Sequence, residues 1–155
     1  METKENLQAP TGFGAFLKRK NIEFAMKKAG ANGISVGEVL HTGMTEGYRN
    51  KAQYPIARDK SGEYVIGFYA PKSHRVTEAA DCPLAPAVFA EILDTLRAFF
   101  KKYSLSVYDE ESGEGLLRHI YLRRGEISGE VLLTLVINGD SIPHSQALVD
   151  SLTQQ

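Results

Sequence analysis

The sequence is short of the residues and segments that mark several classes of protein. It contains one cysteine, which cannot form an internal disulfide. No window reaches the roughly 18 apolar residues that a membrane-spanning helix needs. The first six residues carry acidic and amide side chains, whereas a signal peptide has a basic start and an apolar run. These features predict a cytosolic protein in a reducing compartment.

The sequence also lacks a strong charge of either sign. Its 18 basic and 19 acidic residues give a net charge of −1, and the pI is near 6.4. The overall charge therefore gives no reason to bind nucleic acid, and such binding would have to come from a local cluster of cations. With 43% apolar and 24% charged residues, the composition is typical of a globular domain with a core.

Motifs for metal, nucleotide or nucleophile chemistry are absent as well. The histidines show neither the i, i+4 spacing nor the cysteine partners of a zinc site: His41, His74, His119 and His144. No glycine-rich dinucleotide or phosphate loop follows a predicted strand. The acidic run at residues 109–114 lies in a Gly/Ser-containing connector, which favours a solvated loop. Cys82, directly before Pro83, is predicted to be a small buried thiol.

The hydrophobic periodicity predicts an α+β fold with an antiparallel or mixed sheet of hairpins covered by helices. Residues 1–15 show no periodicity and predict a mobile N-terminal lead-in to a domain at 16–155. The predicted elements are a lysine-rich helix from residue 16 to Gly30, strands at 48–57, 64–70 and 75–78, a long helix at 85–103, strands at 116–123 and 129–138, and a short helix in the last ten residues.

The best candidate for binding is the polar side of the first predicted strand. Strand alternation places Arg49, Lys51 and Gln53 on one side, roughly 7 Å apart, where the cations can bind phosphate and the amide can bond to a sugar or base. Ser73, His74 and Arg75 add polar groups near the end of the hairpin. This face and the lysine-rich helix each have two possible interpretations. Each is either a surface that contacts RNA or an ordinary solvated surface, since both patterns are typical of solvated surfaces as well.

Three segments, in this order and spacing, resemble the RNA uracil-C5 methyltransferases, above all the branch that acts on 23S rRNA. They are Tyr-Arg-Asn-Lys-Ala-Gln at 48–53, Gly-Phe-Tyr-Ala-Pro-Lys-Ser-His-Arg at 67–75, and Asp-Cys-Pro-Leu at 81–84. A further match covers residues 117–119 and 129–131. The resemblance runs from about residue 16 to the C-terminus and concerns only the central domain of these enzymes.

The resemblance implies that residues 16–155 are the RNA-contacting central domain of a longer enzyme. In the family, S-adenosylmethionine donates the methyl group, and some members hold a 4Fe-4S cluster. Cys82 stands at the position of the family's fourth cluster cysteine, but the other three ligands are absent here. The family's nucleophile, general base and cofactor motifs are absent too. We therefore assign no catalytic residue and expect the chain alone to bind neither S-adenosylmethionine nor a cluster.

Two functions follow from these expectations. The chain is either a fragment of a 23S rRNA uracil-C5 methyltransferase that contributes RNA binding, or a stand-alone RNA-binding or protein-interaction module without catalytic activity. In the first case the parent protein is an enzyme although this chain alone is not. The RNA-binding residues are predicted to be Arg49, Lys51, Gln53, Ser73, His74 and Arg75.

Overall fold

The computed structural model describes residues 13–40, 44, 46–79 and 82–153. These residues belong to two compact units, Met1–Thr45 and Glu46–Gln155. Most of the predicted lead-in, residues 1–12, lies outside the described residues, and a helix has already begun at Phe13. The predicted domain boundary near residue 15 stays a prediction.

The first unit contains helix α1 (Phe13–Lys28). The helix ends at Lys28, two residues before the predicted end at Gly30, whose φ of 80° is the left-handed conformation that glycine adopts after a helix C-terminus. The Ala31 amide donates to the Met26 carbonyl at 3.0 Å, which closes the last turn. The predicted apolar side is largely exposed, since 48% of Ile22 is accessible to solvent.

The second unit is an antiparallel sheet with helices on one side, so the predicted fold class is confirmed. In chain order its elements are β1 (Lys51–Arg58), β2 (Tyr64–Tyr69), β3 (Val76–Glu78), α2 (Ala87–Lys102), β4 (Leu117–Arg124), β5 (Val131–Ile137) and α3 (Ser145–Thr153). The five strands lie in the order β3-β2-β1-β4-β5, and every pairing between neighbours is antiparallel. Strand β1 is therefore the centre of the sheet.

Strand β1 starts three residues later than the alternation predicts, at Lys51 instead of Tyr48. The backbone before it bonds elsewhere, because the amides of Gly47 and Arg49 donate to the carbonyls of Pro83 and Leu84. Pro55, which has no N–H to donate, lies where the pairing of β1 changes from β4 to β2. That changeover explains how a central strand accommodates a proline.

The core lies between one side of the sheet and the helices α2 and α3. On β1 the side chains of Ala52, Tyr54 and Ile56 point into it, as strand alternation predicts. The buried side of α2 consists of Phe89, Ile92, Leu93, Leu96, Phe99 and Phe100, all from the predicted apolar stripe. Leu148 is the buried residue of α3. Burial of this stripe is what holds α2 on the sheet.

A polar network around Tyr64 joins the β1–β2 hairpin to the C-terminus of α2. The Tyr64 hydroxyl lies 2.9 Å from the Phe100 carbonyl and 2.5 Å from the Leu105 carbonyl. The Arg58 guanidinium donates to the same hydroxyl at 2.7 Å and covers the Tyr64 ring at 4.1 Å. Burial raises the pKa of Tyr64, so the hydroxyl stays protonated as a donor. The hairpin is thereby fixed to the helix.

We expect Gly67→Ala to destabilise the sheet. Gly67 of β2 pairs with Glu78 of β3, and a Cβ atom at this position would overlap the backbone carbonyl of Thr77. Relief of that overlap requires separation of β2 and β3, at a cost of about 1–3 kcal/mol in the free energy of unfolding. Urea denaturation followed by circular dichroism measures this loss.

Gly37→Ala is the matched control, because nothing lies within 4 Å of a Cβ atom there and its φ is not positive. This variant should change stability by less than about 1 kcal/mol. If the two variants unfold at the same urea concentration, the prediction that β2 and β3 are too close at Gly67 to admit a Cβ atom is wrong.

Among the described residues, no helix is both long enough and apolar enough to span a membrane.

Candidate nucleic-acid interface

The side of the sheet opposite the core helices carries a ladder of mostly polar side chains from β1 and β4. Lys51 pairs with Arg123, Gln53 pairs with Tyr121, and Pro55 pairs with His119. Strand alternation puts these residues on the side away from Ala52 and Tyr54. We call this surface the open face, and it is defined by Lys51, Gln53, Pro55, His119, Tyr121 and Arg123, of which Pro55 is buried and His119 half-buried.

Two cations face each other at one end of the open face. Lys51 and Arg123 are direct cross-strand partners, and both are exposed. Like charges at such a position repel, which destabilises the pairing unless an anion lies between them. Among the described residues, no carboxylate forms an ion pair with either cation. The pair is therefore suited to bind an external anion such as a phosphate.

A shallow cleft of about 440 Å³ adjoins this pair, and we call it the strand cleft. Its walls are formed by Tyr48, Arg49, Asn50, Lys51, Ala52, Gln53 and Phe68. The three predicted residues Arg49, Lys51 and Gln53 thus meet in one place. Tyr48, at 49% exposure, adds an aromatic ring beside the cations, on which an unstacked base can lie.

The other predicted residues lie in the turn between β2 and β3. The Ser73 hydroxyl donates to the Ala70 carbonyl at 3.2 Å and accepts from the Arg75 amide at 3.3 Å, so it shapes the turn. His74 places its Nδ1 atom 2.9 Å from a carboxylate oxygen of Glu110. In the described part of the chain, Ser73, His74 and Arg75 do not line the strand cleft. The six predicted residues therefore form two groups instead of one surface.

A second and larger cleft, of about 680 Å³, lies beside His74, and we call it the connector cleft. The β2–β3 turn, the end of β1, the start of β4 and the segment at 104–111 form its walls. The Tyr69 hydroxyl lies 3.5 Å from Nε2 of His119 inside it. The Arg118 guanidinium covers the Tyr108 ring at 4.3 Å.

Burial sets the protonation of two groups in the connector cleft. Desolvation, assisted by Arg118, lowers the pKa of His119, so this ring is neutral at pH 7 and offers one donor and one acceptor nitrogen. Desolvation and the charge of Glu110 raise the pKa of Tyr69, which keeps its hydroxyl protonated. Both groups are therefore hydrogen-bonding groups without net charge.

Two parts of the site were missed by the reasoning from sequence. Arg123 is not among the predicted binding residues, because its position opposite Lys51 depends on the β1–β4 register. Glu110 was assigned to a solvated connector, yet it is the partner of His74, 36 residues away along the chain. Alternation in β4 could have placed Tyr121 and Arg123 on one side, but no local signal predicts the contact of Glu110.

Cys82 is a free, half-buried thiol in the segment that leads into α2. Burial raises the pKa of the nearby Tyr54 to about 12, with a further contribution from Cys82. Within the described ranges, no group of three or more His, Cys, Asp or Glu side chains could hold a metal ion. A 4Fe-4S cluster needs four such ligands, so the described residues do not fit it. Asp81, its neighbour in the sequence motif, lies outside the described residues.

Comparisons with known proteins give the same family as the sequence motifs. No protein-family model matches the chain. An uncharacterized RNA methyltransferase of Clostridium tetani is 34% identical over 137 residues, which cover 88% of this chain and 30% of the relative. An uncharacterized RNA methyltransferase of Gloeobacter violaceus is 43% identical over 108 residues, which cover 67% of this chain and 24% of the relative.

A solved structure supports the match at the level of the fold. The crystal structure of the tRNA (uracil-54, C5)-methyltransferase of Pyrococcus abyssi, in complex with S-adenosyl-L-homocysteine, superimposes with a TM-score of 0.69 at 25% identity. The match covers 86% of this chain and 30% of that protein. The chain is a relative of the RNA uracil-C5 methyltransferases. The predicted resemblance to this family is thereby confirmed.

The chain spans only about 30% of the length of the Clostridium tetani and Pyrococcus abyssi proteins. The match therefore concerns one portion of these RNA methyltransferases.

Proposed function

We propose that the chain is part of an S-adenosylmethionine-dependent RNA uracil-C5 methyltransferase and that its open face contributes RNA binding. The observation that carries the proposal is the pair of unneutralised cations, Lys51 and Arg123, directly opposite each other on the exposed side of the sheet. The relatives named as RNA methyltransferases support the enzyme class. The sequence motifs favour 23S rRNA as the target.

The residues at and beside the open face bind different parts of the RNA according to their chemistry. Lys51, Arg123 and Arg49 are the groups that neutralise phosphates. Gln53 and Tyr121, the next cross-strand pair, offer an amide and an aromatic ring to a sugar or a base. Tyr121 is 40% exposed, which leaves its ring face available for stacking. The chain's own contribution is thus to hold and orient RNA, and methyl transfer with S-adenosylmethionine is assigned to the longer enzyme.

The salt dependence of RNA binding tests this proposal. With two or three phosphate contacts, the slope of log K against log salt for a single strand should be about −1.5 to −2. Lys51→Ala should flatten the slope by roughly 0.7, because it removes one contact. Fluorescence anisotropy with a labelled hairpin from 23S rRNA, and with a tRNA stem-loop for comparison, gives both values.

Lys60→Ala is the matched control, because Lys60 lies in the exposed turn between β1 and β2 and outside the open face. Glu110 is unsuitable as a neutral control, since it contacts His74. Equal slopes for the parent, Lys51→Ala and Lys60→Ala would show that the open face is an ordinary solvated surface. Stronger binding of the tRNA stem-loop would overturn the proposed 23S rRNA target alone.

A further inference from the structure

The connector cleft contains features that phosphate binding on the open face does not use. We propose that it binds one unstacked guanine base of the RNA, with Glu110 as the residue that selects guanine. The inference rests on the proposed function in one respect, which is that the RNA strand crosses the open face.

The position of the cleft follows from the register of the sheet. Lys51 and Arg123 mark one end of the open face, and Pro55 and His119 mark the row four residues further along β1. Four residues of a strand span about 13 Å. His119 also lines the connector cleft. A strand of RNA held by the cations can therefore place one of its bases at this cleft.

The charges around the cleft favour a base over a phosphate. Its cations are already engaged, since Arg58 bonds to Tyr64 and to the Leu105 carbonyl, and Arg118 lies on the Tyr108 ring. Three carboxylates also line the cleft: Asp109, Glu110 and Glu111. A phosphate would be repelled by these groups, whereas a neutral base with several N–H donors would be attracted. Aromatic rings in the cleft provide stacking surfaces, and the centroids of the Tyr69 and His74 rings lie 5.7 Å apart.

Glu110 differs from its neighbour Asp109 in what its carboxylate can reach. The Asp109 carboxylate is held inside its own turn, where it accepts from the amide and hydroxyl of Ser112 at 2.8 and 2.9 Å. Glu110 instead contacts His74 on the β2–β3 turn, and its side chain is 56% exposed. It is therefore the carboxylate positioned to meet an incoming group at the mouth of the cleft.

Guanine is the base whose donors match a carboxylate. An ionised carboxylate has two acceptor oxygens and no donor. Guanine presents N1–H and the N2 amino group side by side on its Watson–Crick edge, so both oxygens can accept together. Adenine, cytosine and uracil lack two adjacent donors on that edge. The neutral His119 ring and the Tyr69 hydroxyl can donate to the acceptor atoms on the other side of the base.

The first test uses nucleosides, which carry no phosphate and so do not depend on Lys51 or Arg123. Guanosine, inosine and adenosine are titrated into the 155-residue chain, and binding is followed through the imidazole NMR signals of His74 and His119. Inosine lacks the N2 amino group. We expect guanosine to bind about ten-fold or more tightly than inosine or adenosine, as for one bidentate pair. Glu110→Gln should remove this preference, whereas Glu126→Gln, in the exposed turn after β4, should keep it.

The second test separates this inference from the proposed function. Two RNA strands that differ only by guanine or adenine at one position are compared on the parent, Glu110→Gln and Lys51→Ala. Loss of the guanine preference in Glu110→Gln, with weaker binding of both strands to Lys51→Ala, supports both claims. Equal binding of guanosine and inosine to the parent overturns the guanine site, even where Lys51→Ala still weakens RNA binding. A guanosine preference without any effect of Lys51→Ala overturns RNA binding on the open face and leaves the guanine site standing.

Discussion

Replacing both Lys51 and Arg123 by glutamate is expected to remove nearly all RNA binding by the chain. Each phosphate contact on a single strand contributes a factor of about eight at about 50 mM salt, because the binding constant scales with salt to roughly the power −0.7 per contact. Loss of two contacts weakens binding about 60-fold, and two carboxylates at the same place add repulsion. We therefore expect a decrease of roughly two orders of magnitude, measured by anisotropy at low salt.

The same substitutions should not harm the fold. Lys51 and Arg123 are exposed cross-strand partners that repel each other, so their replacement leaves the core untouched and keeps the pair like-charged. Lys60→Glu with Lys102→Glu is the matched control, since it changes the net charge equally at sites outside the open face. If the control pair weakens binding as much as the open-face pair, the effect comes from net charge and the interface is elsewhere.

Phe100→Ala should cause the largest loss of stability. Phe100 is fully buried at the end of α2, where its ring lies 5.8 Å from that of Tyr64, and its carbonyl lies 2.9 Å from the Tyr64 hydroxyl. Removal of the ring leaves a cavity between the helix and the β1–β2 hairpin. We expect the free energy of unfolding to fall by about 3–5 kcal/mol, measured by urea denaturation.

Phe24→Ala provides the same substitution on a surface. Phe24 is 70% exposed on α1, so its loss should change stability by no more than about 0.5 kcal/mol. A small effect of Phe100→Ala, similar to that of Phe24→Ala, would contradict the packing of α2 on the sheet.

The sequence predicted the elements of this fold well where one local signal dominates. The apolar stripe of α2 continues over four turns, so its periodicity alone places Phe89 and Phe100 on the core side. The turn at Gly62 and the alternation of Ala52, Tyr54 and Ile56 likewise indicate the β1–β2 hairpin. These features depend on neighbours within a few residues.

The features that the sequence could not predict depend on distant parts of the chain. Strand β1 begins at Lys51 because the preceding backbone bonds to residues 83 and 84, and alternation alone cannot show that competition. The face-to-face position of Lys51 and Arg123 requires the β1–β4 register across 72 residues of sequence separation. His74 and Glu110 meet because two turns converge at the connector cleft. Of the predicted binding residues, Arg49, Lys51 and Gln53 line the strand cleft and His74 lines the connector cleft, and this division depends on the fold.

NMR chemical-shift mapping tests RNA binding on the open face residue by residue. A single-stranded RNA is added at low salt to the isotope-labelled chain, and the change is recorded for every assigned amide. We expect the largest changes at Lys51, Gln53, Tyr121 and Arg123, with little change along α2 and α3 on the other side of the sheet. Changes concentrated on α2 and α3, or no saturable change at the open-face amides, would contradict it.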